Sequence, residues 1–316
     1  MALNSLFVPF VSLLVAMPVV IGQNAAPEVG QVDVIEIGED RHDRMTVPVR
    51  IGAHGPFEFM IDTGAMNTVI SRGVAGKLAI PVTGRAKLTG VAGSEMVDTV
   101  EIDQIDLGKR SYYGVLAPLL DQGNIGADGI IGLDSLQGQR VQIDFRKGLI
   151  AVSDAKELGG NRGYEIVVTA RRRSGQLIMA NAVIDGVRTD VVIDTGAETS
   201  IGNRALQRAL SNRAFQGRTE LKSVTGQVII ADIGYARRLQ IGEINFGNVM
   251  IAYADSPAFV SLGLHRKPAL LLGMRDLRQL DRVAIDFSTR KIYFDVPSDA
   301  IDTGSRHRDN LGSRLD

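Results

Sequence analysis

The chain contains no cysteine and no tryptophan among its 316 residues. Without cysteine there can be no disulfide framework, no thiolate zinc site, no iron–sulfur cluster and no cysteine nucleophile. Aromatic residues make up only 5% of the chain, whereas it has 35 glycines and 10 prolines. This composition is typical of many short strands joined by tight turns, and it argues against a helical bundle.

The chain also lacks an excess of either charge, because 35 Lys and Arg stand against 36 Asp and Glu, for a net charge of −1. It therefore lacks the basic field of a nucleic-acid binder, and we expect no nucleic-acid partner. The four histidines, at positions 42, 54, 265 and 307, match no metal-ligand motif, so we expect no metal and no other cofactor. The length and the 45% hydrophobic content predict about two domains, each with a core of its own.

One long apolar run lies near the N-terminus, at residues 6–22. Small and polar residues follow it, which is the pattern of a signal peptide cleaved near Gly22, although Met1–Ser5 has no lysine or arginine. We therefore expect a signal peptide over 1–22 and an exported protein, periplasmic or secreted, with no stable membrane insertion once the signal is removed. The alternative is an uncleaved membrane anchor through residues 6–22.

The rest of the chain repeats itself. The segment Phe59–Ser71 shares the register I-D-T-G-A with Val191–Asn203, 132 positions later. Four further blocks recur in the same order at offsets between 133 and 142, which indicates an internal duplication. We expect an N-terminal lobe over 30–155, a C-terminal lobe over 164–297, and a polar, disordered tail over 298–316.

Within each predicted lobe the hydrophobic pattern mostly has a period of two, as in β-strands. Residues 45–51 alternate, a turn signal follows at His54–Pro56, and a second run at 57–61 completes a predicted hairpin. Helical signals are few and short, and they cover Arg72–Leu78, Arg204–Leu210 and Met274–Gln279. Asn203 is a favourable N-cap for the second of these. The predicted fold class is all-β with a few short helices.

Two aspartates occupy the same place in the duplicated motif. Asp62 and Asp194 each end an apolar run and precede a Thr-Gly turn. Related by a pseudo-twofold axis, these carboxylates can face each other, and two like charges about 3 Å apart cannot both ionise. The pair then shares one proton, so that one member takes a proton from water while the other donates to a developing oxyanion. The sequence thus predicts the catalytic pair of a hydrolase that needs no metal and no covalent intermediate.

The residues that follow each aspartate have assignable roles. The threonines can hydrogen-bond across the axis, and the glycines let backbone N–H groups approach the carboxylates. The alanines stand where a serine or threonine would donate to the carboxylate, so we expect a pH optimum less acidic than that of a pepsin. These predicted supporting residues are Thr63, Gly64, Ala65, Thr195, Gly196 and Ala197.

These motifs resemble those of the aspartic peptidases. The D-T-G-A in an apolar strand, a glycine-bearing hairpin about 30 residues later and an apolar-apolar-Gly further on form the family pattern, and D-T-G-A is similar to the retropepsin-like bacterial members. The resemblance implies the bilobal aspartic-protease fold, with two pseudo-symmetric β-barrel-like lobes and a cleft between them. It also implies polypeptide substrates, and it implies that Asp62 and Asp194 form the catalytic pair. Because one chain holds both motifs, we expect a monomer.

The resemblance further implies two flaps over the cleft, at Gly90–Met96 and Ser223–Ile229. The segments Ile130–Gly132 and Leu271–Gly273 would thread under the two aspartate turns. In the retroviral members arginine and then asparagine or aspartate follow this glycine. Here Leu133-Asp134 and Met274-Arg275 stand instead, which alters the polar support. The substrate-binding residues implied in the flaps are Gly90, Val91, Ala92, Gly93, Ser94, Val224, Thr225, Gly226 and Gln227.

Two alternatives stay open. The chain could be a catalytically silent peptide-binding module of the same fold, although the intact pair of D-T-G triplets favours an enzyme. It could also be a homodimeric peptidase that uses one D-T-G per chain. A third triplet, Asp302–Gly304, has no strand before it and too few residues after it for a flap, so we interpret it as a chance turn.

Overall fold

The alternating pattern of the first half folds into strands joined by short turns. In the computed structural model, the described residues are 33–36, 38–39, 45–108, 110–154, 164–210 and 216–297. The predicted signal peptide and the predicted tail lie outside them. In the first half the elements are β1 (Asp33–Glu36), β2 (Gly38–Glu39), β3 (Met45–Ile51), β4 (His54–Ile61), β5 (Val69–Ser71), α1 (Arg72–Lys77), β6 (Val82–Thr89), β7 (Ser94–Leu107), β8 (Arg110–Leu120), α2 (Gln122–Ile125), β9 (Gly129–Ile131), α3 (Leu133–Leu136), β10 (Gln139–Asp144) and β11 (Leu149–Asp154).

The second half follows the same order of elements. These are β12 (Ile166–Thr169), β13 (Arg171–Arg173), β14 (Gln176–Ile184), β15 (Val187–Ile193), β16 (Ser200–Gly202), α4 (Arg204–Ala209), β17 (Gly217–Lys222), β18 (Val228–Ile241), β19 (Ile244–Tyr253), α5 (Pro257–Ser261), β20 (Ala269–Leu272), α6 (Met274–Leu277), β21 (Arg282–Asp286) and β22 (Lys291–Asp295). No helix in this described part is long and apolar enough to cross a membrane.

Each half builds one eight-stranded sheet. The N-terminal sheet has the order β2-β3-β4-β9-β5-β8-β7-β6, and a further pairing of β3 with β7 closes six of its strands into a ring. The C-terminal sheet has the order β13-β14-β15-β20-β16-β19-β18-β17 and closes through β14 and β18. The two orders correspond strand for strand. The predicted all-β fold with two pseudo-symmetric, barrel-like lobes is therefore confirmed.

The third sheet joins the two halves. Its order is β1-β11-β10-β21-β22-β12, with β10 of the first half antiparallel to β21 of the second. Because strands of both halves share this sheet, the lobes are not separate bodies, and the boundaries at 30–155 and 164–297 stay predictions. The buried Arg140 on β10 donates to Asp286 on β21 from Nε at 3.1 Å and from Nη2 at 2.8 Å.

Two short helices, α1 and α4, directly follow the strands β5 and β16, which come after the two aspartate turns. Asn203 accepts a hydrogen bond from Leu206 N at 2.8 Å, which confirms the predicted N-cap, and Ser71 does the same for α1 from Val74 N at 3.2 Å. The three predicted helices are present as α1, α4 and α6, whereas α2, α3 and α5 were not predicted. These three have four or five residues, too few to show a helical period, and α6 is the one helix of that length among the described residues that was predicted. The predicted position of the hairpin turn, His54–Pro56, was wrong: the turn lies two residues earlier, because β3 ends at Ile51 and β4 already begins at His54.

We expect Arg140→Ala to lower the free energy of unfolding by about 3 kcal/mol, because it leaves the Asp286 carboxylate buried without its guanidinium partner. Urea unfolding followed by circular dichroism measures this. Arg146→Ala is the matched control, because Arg146 pairs with Asp281 at 3.0 Å with its side chain 72% exposed, and its loss should cost less than about 1 kcal/mol. Equal losses in the two variants would contradict the role assigned to the buried pair.

Candidate active site

The two D-T-G turns follow equivalent strands, β4 and β15. Each of these strands runs parallel to a neighbour, β9 or β20, which holds the start of the turn. Asp62 N donates to Ile131 O at 3.1 Å, and Asp194 N donates to Leu272 O at 3.0 Å. The two aspartates are only 9% and 7% exposed. The same backbone frame thus presents one nearly buried carboxylate from each lobe.

Two buried threonines bind the turns to each other across the pseudo-twofold axis. Thr195 Oγ1 accepts from Thr63 N at 3.0 Å and donates to Ile61 O at 2.7 Å. Thr63 Oγ1 in turn accepts from Thr195 N at 3.3 Å and donates to Ile193 O at 2.9 Å. Each hydroxyl therefore satisfies one N–H and one C=O of the opposite lobe in a site closed to water, where leaving them unpaired is costly.

The glycines bring each carboxylate against the backbone of the other lobe. A Cβ added to Gly64 would lie 2.6 Å from Oδ1 of Asp194, and one added to Gly196 would overlap the carboxylate of Asp62. Only glycine leaves room for this approach. The two carboxylates therefore lie on either side of the axis, each backed by the opposite turn.

Backbone N–H groups and burial set the charge of the pair. Asp62 Oδ1 accepts from Gly64 N at 2.7 Å and from Ala65 N at 3.0 Å, and Asp194 Oδ1 accepts from Gly196 N at 3.1 Å. Burial, followed by the negative charge of Asp62, raises the pKa of Asp194 to about 8, and a hydrogen bond to Asp62 acts in the same direction. The raised pKa of Asp194 favours its protonated form, so the two carboxylates can share one proton.

A second layer of hydroxyls and carboxylates supports the turns, and sequence reasoning missed it. Thr68 donates from N (2.9 Å) and from Oγ1 (2.7 Å) to Asp134, and it accepts from Gly132 N at 3.2 Å. In the other lobe Ser200 Oγ donates to Asp276 at 2.5 Å and accepts from Gly273 N at 3.0 Å.

The polar support after the glycine is therefore present in this chain: Asp134 provides it two residues after Gly132, and Asp276 provides it three residues after Gly273. The shared hydroxyl six residues after each aspartate was a usable signal, because it recurs at the offset of 132. Asp134 and Asp276 gave no such signal, because their positions in the repeat differ by one residue. Burial raises the pKa of Asp276, which favours its protonated form.

One contact has no counterpart among the described residues. Gln176, which begins β14 in the C-terminal lobe and is 5% exposed, donates from Nε2 to the carbonyl oxygen of Gly64 at 2.5 Å. Its equivalent in the repeat is position 44, outside the described residues, so the duplication could not reveal this contact. A side chain of one lobe thus holds the aspartate turn of the other.

The two implied flaps are β-hairpins. Flap 1 consists of β6, the turn at 90–93 and β7, and flap 2 consists of β17, the turn at 223–227 and β18. Gly90 N donates to Gly93 O at 2.8 Å in the first turn, and Ser223 N donates to Gln227 O at 2.7 Å in the second. Ser94 already belongs to β7.

The flap turns touch each other and cross to the opposite lobe. A Cβ added to Gly90 would overlap Ser223 Oγ, and Gln227 Nε2 donates to Ser94 O at 3.5 Å. Val91 of flap 1 packs on an apolar cluster of the C-terminal lobe that includes Phe259, while Val224 of flap 2 packs on one of the N-terminal lobe that includes Met60. Each flap is therefore anchored in the lobe that it does not come from.

The comparison with known families agrees with this geometry. The model of the family described as aspartyl protease matches residues 47–135 and again residues 180–275, which together make up more than half of the chain. The chain belongs to the aspartyl protease family, and hence to a family of peptidases. No curated protein matches the chain. Among the described residues, no group of three acidic or histidine side chains is arranged to hold a metal ion.

We expect Thr195→Val to lower the free energy of unfolding by about 2 kcal/mol, because it leaves Thr63 N–H and Ile61 C=O buried without partners. Thermal and urea unfolding measure the loss. Thr195→Ser is the control, because it keeps the hydroxyl and removes only a methyl group, at about 1 kcal/mol. If the serine variant is no more stable than the valine variant, the hydroxyl does not hold the two lobes together.

Proposed function

We propose that the chain is an aspartic endopeptidase that hydrolyses peptide bonds of polypeptide substrates through Asp62 and Asp194 of a single chain. The main support is the reciprocal contact of each carboxylate with the opposite D-T-G turn. Two buried carboxylates that share one proton supply a base and an acid at the same point. A module that only binds peptides has no need for a buried pair of carboxylates of this kind.

The proposed reaction assigns different roles to the two carboxylates. Asp62, ionised, takes a proton from a water molecule as the water oxygen bonds to the carbonyl carbon of the substrate. Asp194, which holds its proton because burial raises its pKa, donates that proton to the carbonyl oxygen as negative charge develops there. The tetrahedral intermediate then collapses with cleavage of the C–N bond: the proton held by Asp62 passes to the leaving nitrogen, and one hydroxyl of the intermediate returns a proton to Asp194 as the carboxyl product forms.

The flaps suggest how a polypeptide is held. A substrate between the lobes and beneath the flap turns is read most simply as an extended chain, because β-hairpins offer backbone donors and acceptors in register with one. The flap residues 90–94 and 224–227 are then the substrate-binding residues. Because one chain contains both aspartate turns, we propose that the active form is a monomer. We further propose export through residues 1–22, which detection of the mature protein outside the cytoplasm would test.

We expect Asp62→Asn and Asp194→Asn each to lower kcat by at least about a thousandfold, because an amide can neither take nor supply the shared proton. Hydrolysis of an unfolded protein, with and without pepstatin, measures the loss. Mixing the two variants gives a sharp control, because a single-chain pair cannot be rebuilt from two inactive chains. Restored activity in the mixture, or full activity of Asp194→Asn alone, would favour the homodimer.

The pH profile follows from the raised pKa of Asp194. Below pH about 8 the pair keeps its shared proton, and above it the acid is lost, so activity should extend to neutral pH and fall as the pH rises through about 8. Initial rates on one peptide between pH 3 and pH 10, corrected for unfolding, give the profile. A maximum near pH 2 to 3, with no activity at pH 7, would contradict this assignment.

A further inference from the structure

The side-chain amide of Gln176 is buried where the C-terminal lobe meets the turn of Asp62. Its Nε2 donates to Gly64 O, whereas its Oε1, which is also buried, has no hydrogen-bond partner among the described residues. The opposite orientation of the amide would set Oε1 against the carbonyl oxygen, two acceptors facing each other, so Nε2 is the atom at Gly64. A buried amide with one unpaired atom costs stability, so packing alone does not account for a glutamine at this position.

The acceptor of this bond belongs to the peptide group that contacts Asp62. Gly64 C=O and Ala65 N–H are the two ends of one planar peptide, and Ala65 N donates to Asp62 Oδ1 at 3.0 Å. Hydrogen bonds therefore run from the amide of Gln176 through this peptide to the carboxylate. A donor at the carbonyl oxygen polarises the peptide and strengthens the bond that its N–H makes. Because the alanine at 65 has no hydroxyl to offer, Gln176 of the other lobe acts on the carboxylate through its backbone.

A second glutamine holds the same hairpin, β13 and β14, to the N-terminal lobe. Gln137, directly after α3, donates from Nε2 to Gly175 O at 3.2 Å and accepts from Arg172. Gln137 and Gln176 thus join the same two parts of the chain through neighbouring bonds. Of the two, Gln176 alone donates to the peptide that bonds to Asp62, so Gln137 separates the effect of docking from the effect on the carboxylate.

The titratable groups around these hydrogen bonds have identified contacts. Asp194 faces Asp62 across the axis, and the charge of Asp62 contributes to the raised pKa of Asp194. On α3, Asp134 accepts from Thr68 Oγ1 at 2.7 Å, and β14 carries no titratable side chain. The arginines of β13 have contacts of their own: Arg171 with Asp190 at 2.9 Å, Arg172 with Gln137, and Arg173 beside Gly263.

We propose that Gln176 is a positioning residue of the reaction: its amide strengthens the hydrogen bond from Ala65 N–H to Asp62 and so favours the ionised form that acts as the base. The inference rests on the proposed function, which assigns the base to Asp62. Without the amide, Asp62 takes up its proton at a higher pH, so the acid limb of the pH profile moves upward. The alkaline limb stays in place, because Asp62 is ionised both before and after Asp194 loses its proton.

The test compares Gln176→Met with Gln137→Met, because methionine is close to glutamine in size and shape but has no hydrogen-bond donor. Initial rates on one peptide give kcat/KM as a function of pH, and thermal unfolding shows that both variants are folded. We expect the acid limb of Gln176→Met to lie about half a pH unit higher than that of the unsubstituted chain, with rates on that limb about threefold lower. Gln137→Met should lose thermal stability to a similar extent and leave the acid limb in place.

An acid limb at the same pH in both variants, whether shifted or not, would overturn the role assigned to Gln176. If Gln176→Met does not fold, Gln176→Asn takes its place in the comparison, because its amide is one methylene group shorter and ends short of Gly64 O.

Failure of the proposed function is distinguishable, because then the unsubstituted chain cuts no peptide. In that case titration of the Asp62 carboxyl carbon by nuclear magnetic resonance decides the matter. A midpoint higher in Gln176→Met than in Gln137→Met supports the inference, and equal midpoints overturn it.

Discussion

The reciprocal hydrogen bonds between Thr63 and Thr195 are the interaction on which the rest of the site depends. Each hydroxyl bonds to the backbone on either side of the opposite aspartate, so each turn is hydrogen-bonded to the other at two points. This arrangement brings Gly64 against the carboxylate of Asp194, and the same contact excludes water from it. The raised pKa of Asp194 is therefore a consequence of how the lobes meet, more than of any single neighbouring charge.

Further layers outside this centre also connect the two lobes. Beneath the turns, strands of both halves share one sheet, with the Arg140–Asp286 pair at its middle. Above them, Val91 and Val224 each pack on the lobe opposite to their own. Movement of a flap away from the cleft must therefore also loosen a contact between lobes, so substrate entry and the packing of the lobes are coupled.

Much of the fold and the two candidate aspartates could be predicted from the sequence, because a local pattern that occurs twice in the same order is unambiguous. A D-T-G-A at the end of an apolar strand recurs with its neighbours in order, which predicted the two-lobed β fold and the two aspartates as candidates. The N-cap at Asn203 was predictable for the same reason, since a cap is a local feature. The helices α2, α3 and α5 have four or five residues and were missed, because so few residues show no measurable period; α6 is as short but was predicted.

The remaining features arise from contacts between distant segments. Gln176 reaches Gly64 across the interface between the lobes, and nothing in the residues around either one indicates this. Asp134 and Asp276 each accept a hydrogen bond from the hydroxyl that supports the aspartate turn. Because their positions in the repeat differ by one residue, a comparison of the repeats does not reveal them.

The most direct test of the account is a titration of the two carboxyl groups by nuclear magnetic resonance, with ¹³C in the aspartate side chains and assignment by single substitution. We predict that Asp194 keeps its proton until pH about 8, and that Asp62→Asn lowers this midpoint while burial keeps it above the ordinary value of 3.8. An Asp194 that titrates near 3.8, with a midpoint that does not respond to Asp62, would contradict the shared proton and with it the proposed pair.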